Sequence, residues 1–411
     1  MIDLGLVREV PPVERPIPYR AVLGALSLVL LALLSGAAHR SPARPPAIVP
    51  ARLGDTVYLD GDRLFVVASG SAQAGETVQS WAVDGYRLPD ARPLGRTMVT
   101  FVGEVTGVNH VGDVLVVTYR SNTDGIQGVV AQTVGGRTPL WRRAARMVAA
   151  PSADTVLLAD ATGEYAVDLR SGALRWRVSS PAGTVVVSSS SWIVRIADAG
   201  RIEVWDAHTG RLLRSVAGPP LAGRSDDLVQ TAGDLILVNT GDGYDGYRLP
   251  GLERRWHTTA DLSHSWMEID CGTVICSFRE PGGTTAVDPA TGRQVWRNDR
   301  WSYAEPLGRY LLASAAVDGR GGVSVLWVID PATGEPLGNF GDWHALGPAG
   351  DGLLYGFTDA GYRIYYGLLD PATRRIDYLG TADRVSGDCQ TSGVLLVCRL
   401  VDASYAVWPL R

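Results

Sequence analysis

The sequence predicts an all-β fold: an eight-bladed β-propeller of four-stranded antiparallel blades, with seven or nine blades also compatible, preceded by one N-terminal transmembrane helix. Three observations predict it. Apolar strand-like runs (LFVVA, VLVVT, TVLLA, WIVRI, LILVN, TVICS, YLLAS, LLYGF and VLLVC) recur about every 37 to 50 residues. Each is followed by a strand, most often ending in Asp, a tight Gly turn and a further strand that often carries Trp. Helical periodicity is absent beyond residue 40, which argues against an α/β arrangement.

The N-terminal segment comes first. Ala21 to Ala38 read AVLGALSLVLLALLSGAA, with no charge. A helix of about 18 residues covers roughly 27 Å, enough for the hydrocarbon core of a bilayer. Gly36, Ala37 and Ala38 would suit a signal-peptide cleavage site. The leader is long for such a peptide and carries Asp3, Glu9 and Glu14 as well as arginines, which favours an uncleaved anchor. The expected organisation is a cytoplasmic segment over 1–20, a transmembrane helix over 21–38, a Pro/Arg-rich linker over 39–51 and a propeller over 52–411. Arginine counts on the two sides of the apolar run are similar, so the positive-inside rule does not orient it.

The repeats follow. The clearest copies are EYAVDLRSGALRW, RIEVWDAHTGRLLR, TTAVDPATGRQVW and LWVIDPATGEPLG. In the turn, Pro presets φ, the Asp and Thr side chains bond the turn backbone, and Gly takes φ > 0. A Trp on the outgoing strand has the size to pack between neighbouring sheets. Trp141, Trp176, Trp256 and Trp296 occupy that position, with Asp168, Gly172, Asp288 and Gly292 as the turn residues of the two clearest units. Eight full copies and a terminal half-copy are visible; the segment near Thr56–Leu59 is the candidate to complete the half-copy and close the ring.

The string AVDPATGRQVW, Ala286 to Trp296, resembles the tryptophan-docking motif of quinoprotein propellers, A-x-D-x-x-T-G-x-x-x-W, and AVDLRSGALRW resembles it with Ser for Thr. The resemblance covers about 350 residues and implies the propeller fold. It implies function less sharply, because similar repeats serve quinone-dependent dehydrogenases and non-catalytic scaffolds, including a lipoprotein that assists outer-membrane barrel assembly. The dehydrogenases of that family hold their quinone under a disulfide of adjacent cysteines; this chain has no Cys-Cys dipeptide. The expectation is therefore the non-catalytic branch, with no cofactor. IEVWDAHTG also resembles a WD-repeat strand, without the accompanying Gly-His.

The four cysteines fall in two local pairs, Cys271 with Cys276 and Cys389 with Cys398. In each, the second closes an apolar run, which fits a stapled hairpin; the spacings do not match a zinc site. Such disulfides imply an oxidising compartment, which would put the propeller outside the cytoplasm.

Composition excludes some classes. All 38 basic residues are Arg, the formal net charge is −5 and no basic tail or cluster stands out, which argues against nucleic acid as a partner. Gly241, Gly243 and Gly246 form a GxGxxG string, but Pro250 follows where a dinucleotide site needs a helix. Asp242 and Asp245 lack the rest of a calcium ligand series. The six histidines, His39, His110, His208, His257, His264 and His344, form no metal or general-base pattern. Trp301 and Trp343 sit in loop-like sequence and are the candidate ligand surface. The expected function is a monomeric, single-pass, extracytoplasmic scaffold that binds a protein or envelope ligand. The alternatives are a quinone-dependent dehydrogenase and a cell-wall carbohydrate-binding module.

Overall fold

The computed structural model describes residues 26–27, 45–68, 79–122, 124–181, 184–197, 199–221, 229–262, 270–278, 283–315 and 325–410. The chain divides into two compact units, Met1–Pro45 and Pro46–Arg411. In the first, Leu26 and Ser27 are helical; the rest of the apolar run, and with it the expected membrane helix, lies outside the described residues. No helix among the described residues is long and apolar enough to cross a membrane.

The second unit is a β-propeller of nine antiparallel sheets. In chain order, blades 1 to 8 span residues 56–101, 104–143, 146–179, 184–217, 229–258, 275–298, 301–339 and 344–383. Blade 9 joins residues 385–409 to the strand Ala47–Val49. Eight sheets have four strands; blade 6 has three among the described residues, plus a bridge between Asp270 and Ile275. The first strands of neighbouring blades approach one another, Thr56–Asp60 lying against Glu104–Val111 on one side and Val385–Ser392 on the other. First strands are therefore innermost and fourth strands form the rim.

Burial of the second strands explains nine blades where eight are expected. Leu64, Phe65, Val66 and Val67 are each at most 2% exposed, and Val114 to Val117 at most 1%. A strand buried on both faces needs a sheet on either side, so every such run marks a full blade. Apolar clusters fill the seams: blades 1 and 2 share one, and so on around to blades 9 and 1, where Val49, Val57, Leu64 and Val407 pack together.

Closure also differs from expectation. Thr56–Asp60 is the innermost strand of blade 1 and does not complete the last blade. Ala47–Val49, inside the stretch expected to be linker, pairs antiparallel with Tyr405–Pro409 in the register Ala47 to Val407, Ile48 to Ala406 and Val49 to Tyr405. Both ends of the propeller unit thus build blade 9, which removes an open sheet edge at the seam.

Candidate functional site

The repeat residues act across seams. Asp168 Oδ1 accepts hydrogen bonds from the backbone N–H groups of Arg170 (3.1 Å) and Ser171 (2.9 Å) and from Ser171 Oγ (2.9 Å), while Arg175 donates to Oδ2 at 2.8 Å. The Ser171 amide, the Arg175 guanidinium and the Ser171 hydroxyl together hold this carboxyl well below the usual range. Asp288 is built alike, accepting from Ala290 N at 2.9 Å and Thr291 Oγ1 at 2.6 Å. These turns bring Gly172 and Gly292 to φ of 66° and 71°.

On that framework the tryptophans reach forward by one blade. Trp141 Nε1 donates to Leu169 O (2.8 Å), Trp176 Nε1 to His208 O (2.9 Å), Trp256 Nε1 to Pro289 O (2.7 Å) and Trp296 Nε1 to Pro331 O (2.7 Å). Each acceptor belongs to the Asp-to-Gly turn of the following blade. The turn glycine lies flat on the arriving indole. A Cβ on Gly172 would stand 2.5 Å from Trp141, and one on Gly292 2.6 Å from Trp256. Glycine is needed here twice over, for its positive φ and for the close approach.

Where the indole is missing, the seam repacks. Blade 7 carries Gly338 at the docking position, and the next turn carries Arg374, at φ 58°, where the turns that receive an indole have glycine. The Arg374 stem fills the vacated space, 2.5 Å from where a Cβ on Gly338 would be. Blade 1 has Gly95 at that position, against the backbone of Gly135.

Trp301 and Trp343, expected at an exposed ligand surface, are instead buried in seams. Trp301 is fully buried in the seam between blades 6 and 7, with Nε1 donating to Gly334 O at 2.8 Å. Trp343 is 4% exposed, between blades 7 and 8, edge-on to Tyr378 at 5.6 Å between ring centres. Both stand where one blade's rim strand returns to the next innermost strand, and such connections have polar ends but apolar anchors sunk in the seam.

The remaining candidates are dispersed. Cys271 is bonded to Cys276, and Cys389 to Cys398. Gly241 lies in the loop before the strand Tyr244–Arg248, and Gly246 lies within that strand against Trp256. Asp242 accepts from Thr240 Oγ1 at 2.6 Å, while Asp245 is buried and bonded to Arg254 (2.7 Å) and His257 Nδ1 (2.9 Å). His110 meets Asp60 through both its backbone N–H and Nδ1, His208 serves a turn, and His344 is 4.0 Å from Asp359. His39 and His264 lie outside the described residues. Among the described residues, no three His, Cys, Asp or Glu side chains converge as metal ligands.

Two features escape the sequence reading. The seam between blades 3 and 4 has few apolar residues and several charges. Glu164 is 4% exposed and accepts from Ser180 Oγ at 3.1 Å; burial pushes its carboxyl up, against opposing pulls from Ser180, Arg146 and Arg195. Arg195 Nη1 lies 3.5 Å from Glu203 and its guanidinium 5.6 Å from the Trp205 ring. The only sign in the sequence is an acid inside an apolar strand, as in GEYAVD and RIEVWD. The second feature is a cleft of about 200 Å³ between the inner ends of blades 7 and 8, lined by Glu305, Pro306, Leu312, Leu346, Pro348 and Leu354; the Glu305 carboxylate accepts a hydrogen bond from the Tyr303 hydroxyl at 2.8 Å. Its lining is mostly apolar.

No protein-family model matches the chain, and no curated protein matches it in sequence. Solved structures do resemble it. BamB from Moraxella catarrhalis is 15% identical over 90% of this chain and 98% of its own, with a TM-score of 0.42. The computationally designed Ika8 protein is 18% identical over 75% of this chain and 97% of its own, also at 0.42. A eukaryotic initiation factor is 11% identical over 85% of this chain and 92% of its own, at 0.51. At these identities the likeness to the initiation factor is one of fold alone, and the two scores below 0.5 support nothing further.

Proposed function

We propose that this chain is a membrane-anchored, extracytoplasmic propeller that works as a non-catalytic scaffold for a protein or envelope ligand. The observation that carries the reading is where the repeat's polar groups go. Asp168 and Asp288 bond their own turns, and the docking tryptophans donate across seams to carbonyls of such turns, packed on Gly172 and Gly292, so the repeat chemistry holds a ring together. What the ring leaves for recognition is shape: its two faces, and clefts such as the one beside Glu305. Two bonded cysteine pairs favour an oxidising compartment, and the apolar run from Ala21 to Ala38 supplies a suitable anchor.

The test is site-specific photo-crosslinking of the full chain in its native cell, with the photoreactive residue at Leu346 in the cleft and at exposed Leu213 on the rim as a control. A discrete crosslinked protein or envelope polymer at position 346, absent at 213, is expected. Equal labelling at both positions, or dye-linked dehydrogenase turnover by the purified protein supplied with quinone and calcium, would remove the reading. Protease added outside intact cells stripped of their wall is expected to degrade the propeller; full protection would put it in the cytoplasm.

A further inference from the structure

Blade 9 contains a bulge that does not pair. The innermost strand Val385–Ser392 keeps register with Leu395–Leu400 at Gly387 opposite Arg399, then resumes at Gln390 opposite Val397. Asp388 and Cys389 fall in the gap, with Asp388 at φ 49°. A bulge lacks ladder hydrogen bonds, and here the Cys389–Cys398 disulfide bridges it to the neighbouring strand.

The bulge aims Asp388 at Arg399. Arg399 Nε donates to Asp388 Oδ2 at 2.8 Å, and the guanidinium rests 4.7 Å from the centre of the Tyr405 ring. Its other two nitrogens cross the closing seam. Nη2 donates to Asp55 O at 2.6 Å and Nη1 to Arg52 O at 3.4 Å. These carbonyls belong to the turn between Ala47–Val49, the strand that closes the ring, and Thr56–Asp60. The turn is also tied within itself, by Arg52 N to Asp55 Oδ2 at 2.7 Å. The closing strand itself has three residue pairs and the buried Val49, and this clamp adds to what holds the N-terminal end of the ring.

We infer that the Cys389–Cys398 disulfide and Arg399 form one redox-sensitive latch on ring closure. A dithiol reductant would supply two electrons and two protons: the S–S bond breaks, both sulfurs become thiols and the reductant closes to its own disulfide. The freed bulge no longer fixes Asp388, Arg399 loses the carboxylate that orients it, and the turn at 52–55 loses its clamp. Cys389 is half-buried and its partner Cys398 is buried, so a small thiol would approach this bridge from the Cys389 side; Cys271 and Cys276 are both buried.

Trypsin reads the latch directly, because Arg52 and Leu53 are exposed in the clamped turn. In full-length protein, reduction with dithiothreitol is expected to speed cleavage after Arg52 about tenfold or more, the scale of losing a hydrogen bond to a charged group. Cleavage after exposed Arg142, on the rim of blade 2, should not change. Oxidised Arg399→Gln should already cleave at the fast rate, and reduction should add nothing further to it. Cys271→Ser/Cys276→Ser should respond to reductant as the unaltered chain does. Three results overturn the inference: no acceleration at Arg52, equal acceleration at Arg52 and Arg142, or a full further acceleration when Arg399→Gln is reduced.

Discussion

The docking of Trp256 on the turn of Gly292 predicts a measurable coupling between two residues in different blades. Trp256→Ala removes an indole that is 7% exposed and bonded to Pro289 O, at a cost of about 3–5 kcal/mol. Gly292→Ala costs in two ways. Holding a Cβ at φ 71° costs roughly 1–2 kcal/mol, and pushing that Cβ into an indole 2.6 Å away costs about 1–3 kcal/mol more. In the absence of Trp256 the second cost vanishes and the first remains. The double variant should therefore be more stable than the sum of the two single changes predicts, by about 1–3 kcal/mol. Urea unfolding of the four forms, followed by far-ultraviolet circular dichroism, supplies the midpoints and slopes. Pairing Gly292→Ala with Trp141→Ala, in a different seam, gives a control expected to be additive within about 0.5 kcal/mol. Additivity in the Trp256 cycle as well would refute the claim that indole and glycine support each other across the seam.

Two further predictions concern pH. The Asp288 carboxyl is held low by hydrogen bonds from the Thr291 hydroxyl and the Ala290 amide, so the unfolded chain binds its proton more readily. Its stabilising contribution is present above the unfolded value, near 4, and is lost as pH falls through the folded one; Asp288→Asn should flatten the acid limb of a stability profile, and an unchanged limb would contradict this. Glu164 has the opposite sign. Burial raises its carboxyl, so its penalty appears as pH rises through the folded value and persists at neutrality. Glu164→Gln should raise the thermal midpoint at pH 7 and leave it unchanged near pH 3, and an equal shift at both pH values would contradict the assignment.

Local chemistry was the legible part of this fold. An Asp that bonds its own turn, a glycine at positive φ and a Trp four residues on act within a dozen residues of one another, so the string around Asp288, Gly292 and Trp296 exposes them directly. The direction of docking is legible only by analogy, because Trp256 and Pro289 lie on different repeats. Blade number depended on something less visible. Ala47–Val49 is three apolar residues in a proline-rich stretch, which reads as linker until Tyr405–Pro409 is laid beside it. Trp301 and Trp343 misled because polar neighbours such as Arg300 and Asp342 mark a connection without saying which way its aromatic residue turns. The buried acid Glu164 interrupts an apolar run by one letter, and a single letter carries little weight in a strand of six residues. Arg399 is the extreme case: its partners Arg52 and Asp55 lie at the opposite end of the chain.

Every seam presupposes a ring closed by its own N-terminal strand. The most direct test is disulfide trapping of Ile48→Cys/Ala406→Cys under mild oxidation, set against Tyr58→Cys/Ala406→Cys and read by mass spectrometry of the linked peptides. Ile48 and Ala406 are direct cross-strand partners, within the roughly 4.4–6.8 Å between Cα atoms that a disulfide spans, whereas Tyr58 belongs to the innermost strand of blade 1. The 48–406 link should form in nearly all molecules and the 58–406 link in none. A 58–406 link without a 48–406 link would contradict this closure.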